Sequence, residues 1–153
     1  MNPRQFKFRH QLRVRNYEVD LQGIVHSAMY LFYFEVGRIE YLKNIGISVT
    51  AEGMQNNSKV VLVRNEIDYR SPARFHDLLS IATRVSYIRK SSSAFEGFIE
   101  EATTQRMIAE SLAVHVWLDP RTNEPRSVDD EFRKKIQQFE GGDAIMNWQT
   151  MIA

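Results

Sequence analysis

The hydrophobic and polar positions of this 153-residue chain change their period several times, and each change marks a predicted element. Between residues 6 and 15, apolar and polar side chains alternate, and most of the polar ones are cations. A period of two predicts a strand with one buried face. The row of cations would discourage pairing with another chain if this strand lies at the edge of a sheet.

From Ala28 to about Asn44 the apolar spacing becomes helical, and few positions are charged. A helix that is apolar on most sides is normally enclosed by the rest of its protein. Ser27 is a candidate N-cap for this helix, and Gly46 is suited to the position just after its end. We therefore predict a long central helix.

The second half of the chain is dominated by strands. An irregular connection is predicted at residues 48–58, and four stretches with strand patterns follow it: 59–70, 79–87, 94–103 and 106–118. The last stretch is apolar on both faces, which indicates either a central strand or one covered by a partner subunit. A short helix is predicted between a cap at Ser127 and a stop at Gly141. This order predicts an α+β architecture, with an antiparallel sheet packed against a helix.

Composition narrows the class of protein. Hydrophobic residues make up 43% and charged residues 25% of the chain, as in ordinary globular domains. We expect one domain over residues 1–153, with a core at about 8–139 and a tail at 140–153 that packs on a neighbour or is disordered. The net charge of +1 gives no general reason to expect a nucleic-acid partner. The absence of cysteine excludes disulfides, thiolate metal sites and a cysteine nucleophile.

Targeting and metal signals are missing from the sequence pattern. The first residues lack the apolar segment of a signal peptide, and no stretch approaches the ~20 apolar residues that span a bilayer. We therefore expect a cytoplasmic protein without a membrane span. The four histidines lack metal-ligand spacing, so no metal site is expected.

A polar loop carrying Asp20 and His26 leads directly into the long helix. The loop and helix contain Asp20, Gly23, an apolar pair, Tyr30-Leu31 and then Phe34-Glu-Val-Gly-Arg38. This pattern resembles that of the 4-hydroxybenzoyl-CoA thioesterase-like group of hotdog-fold thioesterases, including its Tol–Pal-associated relatives. The later block from Asp68 to Asp77 resembles a second block of the same group.

The resemblance implies a hotdog fold. Such a fold has an antiparallel sheet of five or six strands wrapped around the long helix, and here it would carry a short C-terminal helix. The resemblance also implies a homodimer or homotetramer with active sites at subunit boundaries. Many members place tyrosine or asparagine six residues after the aspartate, and histidine or asparagine seven after it. Here those places hold His26 and Ser27, so a role for histidine does not carry over by position.

The residues of this loop can support hydrolysis of a thioester. Asp20 could attack the carbonyl carbon or act as a general base on water. The backbone N–H groups of Ser27 and Ala28, at the start of the helix, could stabilise the oxyanion. His26 could orient Asp20, bind water or only fill the loop. Gly23 would let the loop backbone approach the substrate closely.

Substrate contacts are expected from two regions. In the loop and helix they are Tyr17, Gly23, Val25 and Tyr30. In the turn after the second of the four strands, Arg89, Lys90 and Ser91 either bind the phosphates of coenzyme A or form a solvated basic turn. No separate cofactor is expected, because coenzyme A is part of the substrate.

Three functions remain open at this stage. The first is an acyl-CoA thioesterase, and the second is a thioesterase acting on acyl groups attached to acyl carrier protein, which is acidic and could dock on the Arg/Lys exterior. The third is a hotdog protein that binds acyl thioesters without catalysis. Asp20→Asn separates the catalytic functions from the third, since only catalysis needs the carboxylate.

Overall fold

The computed structural model describes residues 1–49 and 59–144, which contain five strands and two α-helices. In chain order these elements are β1 (Phe8–Arg13), α1 (Met29–Asn44), β2 (Lys59–Tyr69), β3 (Leu78–Ile88), β4 (Ser92–Glu101), β5 (Met107–Leu118) and α2 (Asp130–Glu140). All seven were predicted from the sequence pattern. Most of the predicted connection at 48–58 and of the tail lies outside the described residues.

The strands form one five-stranded antiparallel sheet in the order β1-β3-β4-β5-β2. β1 pairs with β3, so that Phe8 lies opposite Thr83 and Arg13 lies opposite Leu78. β1 is an edge strand whose residues alternate between half-buried and exposed, as its period predicted. β5 lies between β4 and β2, so the first of its two predicted alternatives, a central strand, is confirmed.

Helix α1 begins at Met29, one residue later than predicted, and it ends at Asn44, shortly before Gly46. Gly46 has a φ of +81°, and its N–H donates to the carbonyl of Lys43 (3.1 Å), while the N–H of Ile47 donates to that of Leu42 (2.9 Å). These two bonds satisfy carbonyl groups of the last turn, as in a Schellman motif. Within the described residues, neither helix is long and apolar enough to cross a membrane.

The chain divides into two compact units, and unit 1 comprises Met1–Tyr41, Glu66–Arg84 and Gly97–Ser111. Its main core joins residues of α1, of the loop before α1 and of the sheet: Val14, Val25, Tyr30, Tyr33, Phe34, Ala73, Leu79, Ile81, Ile99, Ile108 and Ala109. The loop with the candidate chemistry is therefore anchored in this core. The prediction of a single domain over residues 1–153 stays a prediction.

Two glycines let α1 lie close to the sheet in unit 1. A Cβ at Gly37 would meet Ile81 Cγ2 and Thr83 Oγ1 at 2.7 Å each. A Cβ at Gly97, on β4, would lie 3.0 Å from the Phe34 ring and 3.1 Å from the carbonyl oxygen of Ala82. All four distances are shorter than normal contacts of a Cβ atom, so the helix–sheet spacing depends on these glycines.

One face of α1 contradicts the prediction of an enclosed helix. Phe32 is 58% exposed and Leu31 is 43% exposed. By contrast, Tyr33, Phe34 and Gly37, on the opposite face, are buried against the sheet. The helix is apolar on most sides, but the described residues of the chain cover its outer face only in part.

Unit 2 comprises Leu42–Asn65, Val85–Glu96 and Leu112–Ala153, of which residues 50–58 and 145–153 are outside the described part. Phe132 and Ile136 of α2 are buried there, and the Phe132 ring contacts the edge of the Trp117 ring at a centroid distance of 5.1 Å. The prediction of Ser127 as the cap is wrong, since Asp129 is the N-cap. The Asp129 carboxylate makes no capping bond, because it pairs with Arg126 at 2.8 Å.

Candidate active site

Asp20 lies at a tight turn in the loop between β1 and α1. Its N–H donates to the carbonyl of Ile24 (2.9 Å), and the N–H of Gly23 donates to the Asp20 carbonyl (3.0 Å). The Asp20 Oδ1 accepts bonds from the N–H groups of Gln22 (2.8 Å) and Ile24 (3.3 Å). Gly23 has a φ of +77°, a conformation that glycine adopts without strain. One carboxylate oxygen therefore shapes the turn, and the other has no partner among the described residues.

The second block of the sequence lies directly against this loop. The N–H of Val25 donates to the Ala73 carbonyl (2.9 Å), and the N–H of Phe75 donates to the Gly23 carbonyl (3.3 Å). The N–H of Ala73 in turn donates to the Tyr30 hydroxyl (3.1 Å). The fold thus joins the two stretches of sequence that carry the family resemblance.

Arg106, which the sequence pattern did not single out, holds the second block in place. Its Nη1 donates to Ser71 Oγ (2.6 Å) and to the Pro72 carbonyl (2.8 Å). Its Nη2 lies 3.6 Å from the Asp77 carboxylate. A guanidinium serves several acceptors at once because its five N–H groups are fixed in one plane.

A buried carboxylate at Glu18 is a second feature that the sequence pattern did not reveal. Glu18 is fully buried, and it accepts bonds from the Arg15 N–H (2.8 Å) and from Arg15 Nη2 (2.6 Å). Burial raises the pKa of Glu18, but the hydrogen bonds from Arg15 outweigh it, so the pKa lies below its usual value. The Tyr33 hydroxyl is also buried, and its contact with the Glu18 carboxylate does not have the geometry of a hydrogen bond. The pKa of Tyr33 is raised, mainly by burial and secondly by the negative charge of Glu18.

The loop ends at the N-terminus of α1, where His26, Ser27 and Ala28 are exposed. The N–H of His26 donates to the Glu18 carbonyl (3.0 Å), and the N–H of Met29 donates to the His26 carbonyl (2.9 Å). In the described part of the chain, the N–H groups of Ser27 and Ala28 have no acceptor. Two unpaired amides at the positive end of a helix can bind an anion or a developing oxyanion.

Comparison with known families and proteins decides which chemistry this arrangement belongs to. Residues 14–136 match the family model described as the thioesterase-like superfamily. The chain belongs to the thioesterase-like superfamily. This thioesterase has the hotdog fold expected from its loop and helix, and it is an enzyme that acts on thioesters.

Three similar proteins illustrate the range of the family. The thioesterase is 30% identical to the long-chain acyl-CoA thioesterase FadM of Escherichia coli (strain K12), over 84% of this chain and 96% of that one. It is also 30% identical to the chloroplastic acyl-acyl carrier protein thioesterase ATL3 of Arabidopsis thaliana, over 84% of this chain and 67% of that one. A thioesterase from Thermus thermophilus, crystallised with coenzyme A and Zn, is 27% identical with a TM-score of 0.75, covering 90% of this chain and 96% of that one.

The side chains predicted to contact substrate near the loop of this thioesterase differ in exposure. Tyr17 is 68% exposed, with the Arg15 guanidinium 5.3 Å from its ring centre. Val25 and Tyr30 are only 5% and 3% exposed, and the Tyr30 hydroxyl already accepts the Ala73 bond. In this chain Val25 and Tyr30 shape the core beneath the loop, while Tyr17 is open to a ligand.

Arg89, Lys90 and Ser91 of the thioesterase belong to unit 2, in the turn between β3 and β4. Arg133 Nη2 donates to the carbonyls of Arg89 and Lys90 (3.1 Å for Lys90), and the N–H of Trp117 donates to that of Ser91 (2.8 Å). These bonds fix the backbone of the turn. A role of its side chains toward substrate stays a prediction.

No group of three or more potential metal-ligating side chains occurs within residues 1–49 and 59–144 of the thioesterase. These residues therefore give no indication of a site for the zinc that is present in the Thermus structure. The expectation of no metal and no separate cofactor stays a prediction.

Proposed function

We propose that this thioesterase hydrolyses acyl-CoA thioesters with Asp20 as its reacting carboxylate. The observation that carries the proposal is that the two oxygens of this carboxylate differ in their hydrogen bonds. Oδ1 is held by two backbone amides of its own turn, whereas Oδ2 has no partner among the described residues. A carboxylate fixed through one oxygen presents the other in a constant direction, which favours a reaction at a bound carbonyl.

Two routes are open to Asp20. In the first, Oδ2 attacks the thioester carbon, the C–S bond breaks, coenzyme A leaves as a thiolate, and water then hydrolyses the mixed anhydride. In the second, Oδ2 takes a proton from water, the hydroxide attacks the same carbon, and the thiolate leaves. A thiolate leaves readily without a strong general acid, so neither route requires His26 as a proton donor.

In both routes negative charge develops on the carbonyl oxygen. The N–H groups of Ser27 and Ala28 are the proposed donors to this oxygen, since both lack acceptors in the described part of the chain. One such donor typically contributes about 3–4 kcal/mol to transition-state stabilisation. The positive end of α1 adds a favourable field at the same place.

His26 is proposed to act beside the reacting carbon rather than to hold Asp20. Its backbone N–H is bonded to Glu18, and its residue is exposed next to the two free amides. An exposed imidazole in this place can hydrogen-bond water or the substrate. Tyr17 and Gly23 are proposed to border the bound thioester, and Arg89, Lys90 and Ser91 to contact the coenzyme A phosphates.

The test is a panel of purified aliphatic and aromatic acyl-CoAs with detection of the released thiol. We expect hydrolysis of at least one member, and Asp20→Asn should lower kcat by about 10²- to 10⁴-fold with little change in substrate binding. The asparagine carbonyl can still accept the Gln22 and Ile24 amides, so the turn should persist. Asp130→Asn, on the exposed start of α2, is the matched control and should retain full activity. Full activity of Asp20→Asn would remove Asp20 from the mechanism.

Acyl carrier protein as the acyl donor is the second candidate. The 30% identity to a plant acyl-acyl carrier protein thioesterase favours it as much as the identity to FadM favours coenzyme A. The same acyl group on the two carriers should be compared by kcat/KM at low and high salt. A higher value on the carrier protein that falls with salt would identify an acidic protein partner, since exposed charges are screened by salt.

A homodimer or homotetramer located in the cytoplasm is proposed for the assembled enzyme. In unit 1, Phe32 and Leu31 on the outer face of α1 are exposed, and in unit 2, Leu62 and Val63 on the edge strand β2 are 48% and 57% exposed. Exposed apolar side chains that are neighbours on one surface can mark a protein–protein interface. Light scattering after size-exclusion chromatography tests the stoichiometry, and a monomer at micromolar concentration would contradict it.

A further inference from the structure

Tyr69, the last residue of β2, reaches the N-terminus of α1 through its hydroxyl. The Tyr69 Oη donates to the carbonyl oxygen of Ser27 at 3.0 Å. Ser27 accepts this bond through its backbone, and its carbonyl belongs to the same peptide group as the N–H of Ala28. The side chain of a distant strand therefore contacts the peptide group that supplies one of the proposed oxyanion donors.

The geometry of the peptide group transmits this contact. A trans peptide is planar, and its C=O and N–H point in opposite directions. Fixing the direction of the Ser27 carbonyl therefore also fixes the direction of the Ala28 N–H. In addition, a donor to the carbonyl oxygen polarises the peptide, which makes its N–H a stronger donor on the opposite side.

The position of Tyr69 is fixed by a contact of its ring and by the hydrogen bonds of the residue that follows it. Its ring meets the Tyr30 ring edge to face, with centroids 5.4 Å apart and an interplanar angle of 74°. The next residue along the chain, Arg70, donates through its N–H to the Ile108 carbonyl (2.8 Å) and through its guanidinium to Glu110 (2.8 and 2.9 Å). The hydroxyl is thus presented from a fixed backbone and against a buried ring.

The exposure of Tyr69 argues against a mainly stabilising role for its hydroxyl bond. The residue is 54% exposed, and Ser27 is exposed as well. Water can replace a hydrogen bond between exposed groups, so such a bond contributes little to the free energy of unfolding. Its direction can still matter, because an oxyanion donor must lie at a defined place before the reaction begins.

We propose that Tyr69 is a positioning residue for hydrolysis: its hydroxyl orients the Ser27–Ala28 peptide so that the Ala28 N–H points at the carbonyl oxygen of the thioester. This inference rests on the function proposed above. It adds a residue that touches neither the substrate nor Asp20, and that acts only through a peptide group.

The test is Tyr69→Phe, which keeps the ring and its contact with Tyr30 and removes only the hydroxyl. We expect kcat to fall about tenfold, since the donor remains but is less well directed, while KM changes by less than about twofold. The melting temperature should move by no more than about 2 °C. Tyr87→Phe, which removes a tyrosine hydroxyl from unit 2, is the matched control and should keep the wild-type kcat.

A second measurement separates positioning from structural damage. An S-alkyl-coenzyme A thioether has the shape of the substrate but lacks the carbonyl oxygen, so it cannot use the oxyanion donors. Its Kd should be the same for the wild type and for Tyr69→Phe. A weaker Kd, or a KM increase as large as the kcat decrease, would overturn the proposal and make Tyr69 a structural residue.

The remaining outcomes also decide between the two proposals. An active wild type and an equally active Tyr69→Phe would overturn the role of Tyr69 and leave the thioesterase activity intact. A wild type that hydrolyses no member of the acyl-CoA or acyl carrier protein panel would overturn the proposed function, and the role of Tyr69 with it.

Discussion

The Tyr30 hydroxyl accepts a hydrogen bond from the Ala73 N–H at 3.1 Å, and the pair connects the first turn of α1 to the segment that supports the Asp20 loop. Ala73 also bonds to the loop, because its carbonyl accepts a hydrogen bond from the N–H of Val25 (2.9 Å). Both Tyr30 and Ala73 are buried, so neither group can exchange its partner for water. The position of the loop relative to the helix depends on this short chain of bonds.

Tyr30→Phe should therefore destabilise the protein. The change leaves the buried Ala73 N–H without an acceptor, which typically costs about 1–3 kcal/mol of unfolding free energy. Urea unfolding at pH 7 measures the loss. Tyr87→Phe is the comparison, since Tyr87 is only half-buried, and its free energy of unfolding should stay within about 0.5 kcal/mol of the wild type. A Tyr30→Phe variant as stable as the wild type would mean that water replaces the tyrosine hydroxyl as the acceptor for the Ala73 N–H.

Gly37→Ala should destabilise the contact between α1 and the sheet, despite the higher helix propensity of alanine. The added methyl would lie 2.7 Å from Ile81 and Thr83 on a central strand, so either the helix or the strand must shift. Overpacking of this kind costs about 1–3 kcal/mol. Gly142→Ala is the control, because a Cβ there meets nothing within 4 Å. Thermal unfolding of the two variants should differ clearly, and a Gly37→Ala variant as stable as the wild type would show that the spacing is adjustable.

Glu18 should make stability depend on pH in the acid range. Burial raises its pKa, but the bonds from Arg15 lower it further, so the folded pKa lies below the unfolded value of about 4.3. The resulting stabilisation is fully present above the unfolded pKa and is lost as pH falls through the folded pKa. Denaturant unfolding from pH 7 to pH 3 measures this loss.

Glu18→Gln tests the assignment of that pH dependence. At pH 7 the variant should be less stable by about 1.5–3 kcal/mol, since it loses a charge-assisted bond to Arg15. As the pH falls, the difference from the wild type should shrink, because the wild-type carboxylate becomes neutral as well. Glu131→Gln, exposed on α2, should follow the wild-type curve. Parallel curves for Glu18→Gln and the wild type would assign the acid dependence to other carboxylates.

The secondary structure of this chain was largely readable from short-range patterns. The alternation in β1, the helical spacing after Ser27 and the glycine that ends α1 each depend on residues within a few positions of one another. One local prediction, the cap of α2, was wrong. Asp129, rather than Ser127, is the N-cap of α2, and its carboxylate pairs with Arg126 instead of capping the helix.

The candidate site was only partly readable in the same way. Asp20, Gly23 and His26 stand in one local segment, so their pattern identified the loop. Tyr69 lies 42 residues from Ser27, and Arg106 lies 35 residues from Ser71. No local period marks either pair, because their contacts exist only once the strands are paired.

By itself, the sequence determined the elements of this thioesterase, its family and the acid on which the proposed chemistry rests. Only the tertiary structure decided how that acid is held, which amides remain free at the start of α1, and that Glu18 is buried and paired with Arg15. It also decided that one apolar face of the central helix stays exposed in the described chain. The physical reason is that periodicity reports which side of an element is apolar, whereas burial and hydrogen-bond partners depend on residues far away in the chain.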